Sequence, residues 1–425
     1  MPVNVIVGLQ WGDEGKGRIS HLTSDEATMV VRANGGANAG HTVVKNGQKY
    51  ALHLLPSSII NPDCVSLIAS GVVIDLRILM DEIVSLRAKD IKIEPQNLKI
   101  SSRAHIVVPW HKELDEIYES MRENPIGTTK RGIGPAYADK CLRIGLRMGD
   151  LVGATEESLY KKLKSAYEPV KSLFAEKDIN IRIGDYISDF IRYAKFFEDF
   201  ICDAISVVHN EILKDDNYVV IEGAQATGLD IDYGTYPDVT SSSCISSGLA
   251  AAAGVGPTKV NSVYGIMKAY TSRVGEGPFP TELTNKIGAT IRELGHEYGT
   301  STGRPRRCGW LDLVWLKYAV ELNGVTDLCI NHMDTIGKLD MIMVCVKYEH
   351  NGKIISYVPD DLENCIPIYE TFDGNWEKIT SIGDGKSSEE AKRAKKYLNF
   401  IEEYLGVKAL YLGWGPEQNN VEIRI

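Results

Sequence analysis

An apolar run rich in β-branched residues, at positions 3–9, gives way abruptly to Gln10-Trp11-Gly12-Asp13-Glu14-Gly15-Lys16-Gly17. Such a run reads as a buried strand. Glycines bare the backbone N–H groups of the loop that follows, and a lysine among them suits phosphate. A strand that empties into a loop of this kind belongs in an α/β sheet, where working loops lie at the carboxyl ends of parallel strands. The unusual part is the carboxylate pair, Asp13 and Glu14, inside the loop. Carboxylates repel phosphate unless a cation or a proton transfer needs them there. The spacing is not that of the P-loop, which requires Gly, four residues, then Gly-Lys-Ser/Thr. Here Gln10 stands in the first glycine's place and Gly17 follows Lys16. On its own the segment reads equally as a tight strand–helix turn.

The rest of the chain repeats this alternation. Strand-like runs occur at Met29–Arg32, 66–69, 218–221, 328–331 and 341–346, and residues 76–86 and 187–213 carry helical apolar spacing. The expected fold is α/β: a large, mostly parallel central sheet flanked by helices, P-loop-NTPase-like in general character, with loop and helical elaborations. Residues 241–257, rich in Gly and Ala, read as a tightly packed helix and turn. No linker or repeat interrupts the chain, so residues 1–425 are expected to form a single domain with elaborations.

A formal charge of −10 excludes a general polyanion surface, so no nucleic-acid partner is expected. No apolar stretch approaches a membrane span, and no secretory signal is expected. The eight cysteines are scattered without a Cys-x-x-Cys pair, which suits reduced core thiols in a cytoplasmic protein.

Further constellations carry chemistry. Asn34-Gly35-Gly36-Ala37-Asn38-Ala39-Gly40-His41-Thr42 is a second glycine-rich loop, and His41 there can act as an acid or steady a phosphoryl oxygen. Gly127-Thr128-Thr129-Lys130-Arg131-Gly132, with Lys140, Arg143 and Arg147 beyond, suits a phosphate monoester, although a solvated basic turn has the same composition. Gln225, in Glu222-Gly223-Ala224-Gln225, carries the donor and acceptor needed to read a purine edge. Gly299-Thr300-Ser301-Thr302-Gly303-Arg304-Pro305-Arg306-Arg307 gathers three arginines and three hydroxyls as an anion site. Asp334, after an apolar strand, can accept from the N1–H and 2-amino groups of guanine, which adenine lacks. No nucleophile–His–Asp spacing supports acyl transfer.

Taken together, these stretches resemble the adenylosuccinate synthetase family. The likeness includes Arg131-Gly132-Ile133-Gly134-Pro135-Ala136-Tyr137, Asp230-Ile231-Asp232, Gly234-Thr235-Tyr236-Pro237, Gly277-Pro278-Phe279-Pro280-Thr281-Glu282 and Gly309-Trp310-Leu311-Asp312, in order along nearly the whole chain. The resemblance implies that IMP, L-aspartate and GTP give adenylosuccinate through a 6-phosphoryl-IMP intermediate, the first committed step from IMP to AMP. It implies Asp13, His41, Lys16 and Gln225 as catalytic residues. It implies Asp13, Lys16, Asn38, His41, Thr129, Arg143, Gln225, Thr240 and Arg304 around IMP, and Thr300, Ser301, Thr302, Gly303, Arg304 and Arg306 around aspartate. For the nucleotide it implies Gly12, Asp13, Glu14, Gly15, Lys16, Gly17, Gly40, Thr42, Arg306, His332, Asp334, Gly413, Gly415 and Pro416. One Mg²⁺ per subunit on Asp13 and Gly40 follows in the same way, as does a homodimer in which Arg143 reaches the partner's IMP site.

The sequence departs from the family pattern at several of these places. His332 replaces a usual Lys, Gly413-Trp414 a Ser-Thr, and Gln418 an Arg, all about the base pocket. Pro305, Lys130, His21 and Arg18 are further replacements. The Trp414 ring is expected to stack on the purine, which narrows the margin by which GTP is preferred over ATP. The alternatives are a related purine ligase using ATP or accepting a guanine nucleotide such as dGMP, and an inactive nucleotide-binding regulator. Retention of Asp13 weighs against the first, and retention of Asp13, Lys16 and His41 against the second.

Overall fold

The structure, a computed structural model, describes residues 3–45, 48–214, 216–299, 303–383, 388–415, 417 and 420–424. Among these, ten strands build one sheet: β1 (Val3–Gly8), β2 (Met29–Arg32), β3 (Val65–Ile68), β4 (Leu98–Ser101), β5 (Ile201–Cys202), β6 (Val219–Glu222), β7 (Ser262–Lys268), β8 (Asp327–Asn331), β9 (Ala409–Gly413) and β10 (Val421–Ile423). Their order is β10-β9-β8-β7-β1-β6-β2-β3-β4-β5, parallel throughout except β9 against β10. Helices cover both faces, so the central strands are apolar on both sides, and β1, β2 and β6 are buried along their whole length. This is the α/β fold that the alternation predicts.

Two large apolar clusters flank the sheet. One joins β1 and β6–β9 to the helices Leu313–Asn323 and Glu389–Leu405. The other packs Leu76–Arg87, Trp110–Ser120 and Gly184–Phe197 beneath β3 and β4. A separate antiparallel hairpin system, Met341–His350 with Ile366–Asp373, lies outside the main sheet. Residues 187–213 do not form the continuous helix that their periodicity predicts. The helix Gly184–Phe197 ends in a 3-10 turn, β5 follows, and a second helix runs Ala204–Ile212. Residues 241–257 do contain a helix, Ser246–Ala253, closed by Gly254 in the left-handed region.

Candidate functional site

β1 stands between β6 and β7, and its carboxyl end opens where the sheet has helices on either side. Helix α1 (Lys16–Ser24) begins immediately after the loop. Its cap, Gly15, has φ 90° and no side-chain hydrogen bond, and the first turn carries no acidic residue. Gly12 and Asp13 are also left-handed, at φ 96° and 60°. This leaves the positive end of α1 without a side-chain cap, where an anion is favoured.

The two loop carboxylates part company. Glu14 is 0% exposed; its carboxylate accepts from the Gln10 and Gly12 N–H groups at 3.1 and 2.8 Å and pairs with Lys16 Nζ at 2.7 Å. The expected conflict between Glu14 and phosphate is thereby removed, because its charge is spent on Lys16 and on fixing the loop. Asp13 is 38% exposed and pairs with Arg306 Nη2 at 2.7 Å.

The loops after β2, β6 and β8 are tied to this one. Asn34 receives the Ala224 N–H on Oδ1 at 2.7 Å and donates to the Ser243 carbonyl at 2.9 Å, locking the second glycine loop against the Gln225 segment. Asn38 accepts from the Gly36 N–H at 3.1 Å. His41 Nδ1 pairs with Glu222, which also accepts from Ser20 Oγ at 2.6 Å and Ser57 N at 3.0 Å. Burial alone would raise the Glu222 pKa; the His41 charge and these hydrogen bonds outweigh it and hold the carboxyl at about 2. The sequence reading gave no role to Glu222, although a carboxylate ending a wholly buried strand is a signal in itself. Gln225 sits at φ 58° with a buried Oε1 that has no hydrogen-bond partner among the described residues, room for a donor from a ligand. Only a glycine fits opposite it, since a Cβ on Gly35 would lie 2.9 Å from that oxygen.

The helix Ile133–Leu142 is brought to the same loops by Tyr137, whose hydroxyl receives the Gly35 N–H at 3.0 Å and donates to the Gly71 carbonyl at 2.7 Å. Thr129 and Arg143 are exposed at the two ends of this motif, and Thr240 is half-buried beside Leu229. Of the arginine-rich loop, Arg306 faces Asp13, Arg304 is exposed, and Arg307 turns away to pair with Glu282 at 2.5 Å. The expected three-arginine site is therefore divided. Thr300, Ser301, Thr302, Pro416 and Gln418 lie outside the described residues, as does the side chain of Thr42.

At the base pocket, Asn331 Nδ2 donates to the Glu14 carbonyl at 2.7 Å, joining β8 to the first loop. His332 is left-handed at φ 63°, and burial with nearby Lys268 pushes it down to about 3, so the imidazole is neutral. Burial raises the Asp334 pKa despite Lys338 and Arg18 nearby. Arg18 donates to the carbonyls of Gly415, at 2.7 Å, and of Glu417, fastening the 413–417 segment to α1. Trp414 differs from expectation. It is 4% exposed, belongs to the main core, and donates Nε1 to Glu422 at 3.1 Å, so it offers no face for stacking.

The model of the family described as adenylosuccinate synthetase matches residues 5–422. The chain is 50% identical to the adenylosuccinate synthetase of Acetivibrio thermocellus, with 98% of each chain covered, and 46% identical to that of Caldicellulosiruptor saccharolyticus, with 99% of each covered. The fully ligated adenylosuccinate synthetase from Plasmodium falciparum superposes with a TM-score of 0.92 at 38% identity over 100% of both chains. Succinoaminodeoxyadenylate synthetase of cyanophage S-2L, bound to dGMP and dATP as an energy donor, shares the fold with a TM-score of 0.63 at 20% identity, covering 99% of this chain and 95% of that one.

Proposed function

The chain belongs to the adenylosuccinate synthetase family, and from that membership we propose how its own residues carry the reaction. The activity is the ligation of IMP and L-aspartate to adenylosuccinate with GTP as the energy donor. The 6-oxo group of hypoxanthine leaves poorly. Removing the N1 proton makes O6 a nucleophile; O6 attacks the γ-phosphorus of GTP and GDP departs. The aspartate amine then attacks C6 and phosphate leaves.

Asp13 is the base for N1. The observation that carries this reading is the opposite fate of the two loop carboxylates: Glu14 is consumed internally, whereas Asp13 stays half-exposed at the head of α1. His41, oriented by Glu222, donates to phosphoryl oxygens, and Lys16 and the α1 N-terminus hold phosphate charge. Gln225 meets the purine, supported by its unpartnered Oε1. Asn38, Thr129, Thr240 and Arg304 complete the IMP site, Arg143 enters it from the partner subunit of a homodimer, and the 300–306 loop receives aspartate.

The family generally uses Mg²⁺. Among the described residues no group of three or more His, Cys, Asp or Glu side chains converges on a metal position. Mg²⁺ takes one or two carboxylates and completes its shell with waters and substrate phosphates. The Asp13 carboxylate and Gly40 carbonyl are the hard oxygen donors that would hold it, and when bound it neutralises charge on the nucleotide phosphates. A cytoplasmic setting belongs to the same reading, supported by eight free cysteines; among the described residues no helix is long and apolar enough to cross a membrane.

Asp334 reads the guanine of GTP. With Trp414 withdrawn into the core, nothing at that position compensates a mismatched base, and an adenine leaves the carboxylate unpaired at about 1–3 kcal/mol. Formation of adenylosuccinate from IMP and aspartate, followed with GTP and with ATP, tests the assignment. GTP is expected to give a kcat/KM about tenfold or more above ATP. Equal use of ATP shows that Asp334 does not read the base.

A further inference from the structure

Glu297 is 0% exposed and lies outside the glycine-rich and arginine-rich motifs. It precedes the aspartate loop, and its carboxylate is the centre of a buried chain of alternating charge. Oε2 pairs with Arg306 Nη1 at 2.7 Å, and the other guanidinium nitrogen of Arg306 holds Asp13 at 2.7 Å. Oε1 pairs with Lys268 Nζ at 2.5 Å and accepts from the Tyr270 hydroxyl. That hydroxyl lies 3.4 Å from His332 Nδ1, with the two rings edge to face at 5.4 Å. Lys268 and Tyr270 are in turn fastened to the first loop, because Gln10 accepts from the Lys268 N–H at 3.0 Å and donates to the Tyr270 carbonyl at 2.8 Å.

Two cations buried here, Lys268 and Arg306, share one anion. Removing a shared partner leaves buried charge uncompensated and frees the other pairings to rearrange. Arg306 is aimed at Asp13 from one side only as long as Glu297 holds it from the other. Its Nε is buried without a hydrogen-bond partner among the described residues, so the two carboxylates are what set the guanidinium plane there.

We propose that Glu297 is a positioning residue. It holds Arg306 against Asp13, and through the Tyr270 hydroxyl it joins that pair to His332 at the edge of the base pocket. Glu297 touches no substrate and acts through Asp13. The inference rests on the proposed role of Asp13, and the test separates the two.

The test is a double-variant cycle on the full-length enzyme. Glu297→Gln is made in the native chain and in Asp13→Asn, and kcat is followed by phosphate release from radiolabelled GTP. A residue that acts through Asp13 has nothing left to act on once Asp13 is gone. Glu297→Gln is therefore expected to lower kcat by about tenfold or more in the native background and by less than about twofold in Asp13→Asn, with KM for IMP changed by less than about threefold. A purely structural role lowers kcat by the same factor in both backgrounds, and that result overturns the proposal. Tyr270→Phe, which removes only the hydroxyl, gives a second cycle should Glu297→Gln fail to fold. A loss in the native chain that disappears in Asp13→Asn supports the chain of contacts, and equal losses or no loss overturn it. If Asp13→Asn itself retains near-normal kcat, the role of Asp13 fails and this inference falls with it. If Asp13→Asn is crippled and the factors multiply, only the positioning role is wrong.

Discussion

Asp13 and Glu14 share a peptide bond and nothing else of their surroundings. A positive φ at Asp13 and at the glycines on either side turns one side chain outward and the other into the loop. Asp13→Asn preserves size and the contact with Arg306 while abolishing the base, so kcat is expected to fall by about 100- to 10,000-fold, read by steady-state turnover with IMP, aspartate and GTP. Glu222 makes a different statement. Its folded pKa of about 2 lies below the ordinary 4.5, so the native state favours the charged form. The stability it contributes is complete above pH 4.5 and is lost as pH falls toward 2. Glu222→Gln is expected to lower Tm at pH 7, to flatten the acid limb of Tm against pH, and to reduce kcat by about tenfold through loss of His41 orientation. An unchanged acid limb removes Glu222 from the ion pair. Asp13, Lys16 and His41 are proposed from the sequence because glycines frame them. Glu222 and Glu297 are not, because their meaning lies in partners far away in the chain.

At the scale of elements, the sequence was legible where one local signal dominated. Met29–Arg32 reads as a strand and is one; residues 76–86 read as a helix, and Leu76–Arg87 forms it behind an Asp75 cap. Residues 187–213 misled because helical spacing continues through the break, and β5 exists only by pairing with β4. Trp414 misled because a glycine-flanked tryptophan looks exposed until β9 and β10 enclose it. The helix Leu313–Asn323 offers a test of a buried cap. Asp312 accepts from the Trp315 N–H at 3.1 Å and from the Tyr348 hydroxyl at 2.6 Å. Burial outweighs these bonds and raises its pKa to about 6. A raised carboxyl has the opposite sign to Glu222: stability is greatest below pH 3.8 and declines as pH rises through 6. Asn caps a helix about as well as Asp and still accepts from Tyr348. Asp312→Asn is expected to stabilise by about 1 kcal/mol or more at pH 8 and to change little at pH 4, measured by chemical unfolding at both values. Destabilisation at pH 8 shows that the charge itself is needed there.

At the scale of the whole molecule, the parallel sheet explains why residues from positions 13 to 334 meet at one edge. Each strand delivers its following loop to the same side, and the strand order, which no local pattern reveals, decides which loops touch. Part of the proposed IMP site stands apart from that edge. Arg143 caps the helix Ile133–Leu142 at φ 65° and is exposed, next to Leu142, which is 62% exposed. Met121 and Tyr118, at the end of the neighbouring helix Trp110–Ser120, are also open to solvent. The proposed second subunit would cover both the exposed arginine, held in a left-handed backbone, and the uncovered apolar side chains. If Arg143 serves the partner's site, Arg143→Leu and Asp13→Asn each inactivate a homodimer for different reasons. Mixing the two restores one intact site per hybrid, with Asp13 from one chain and Arg143 from the other. Random exchange makes half of the dimers hybrids with one working site of two, so recovery is expected to approach about one quarter of native specific activity. No recovery, with subunit exchange confirmed by mass spectrometry of tagged chains, places Arg143 in the site of its own chain or in none.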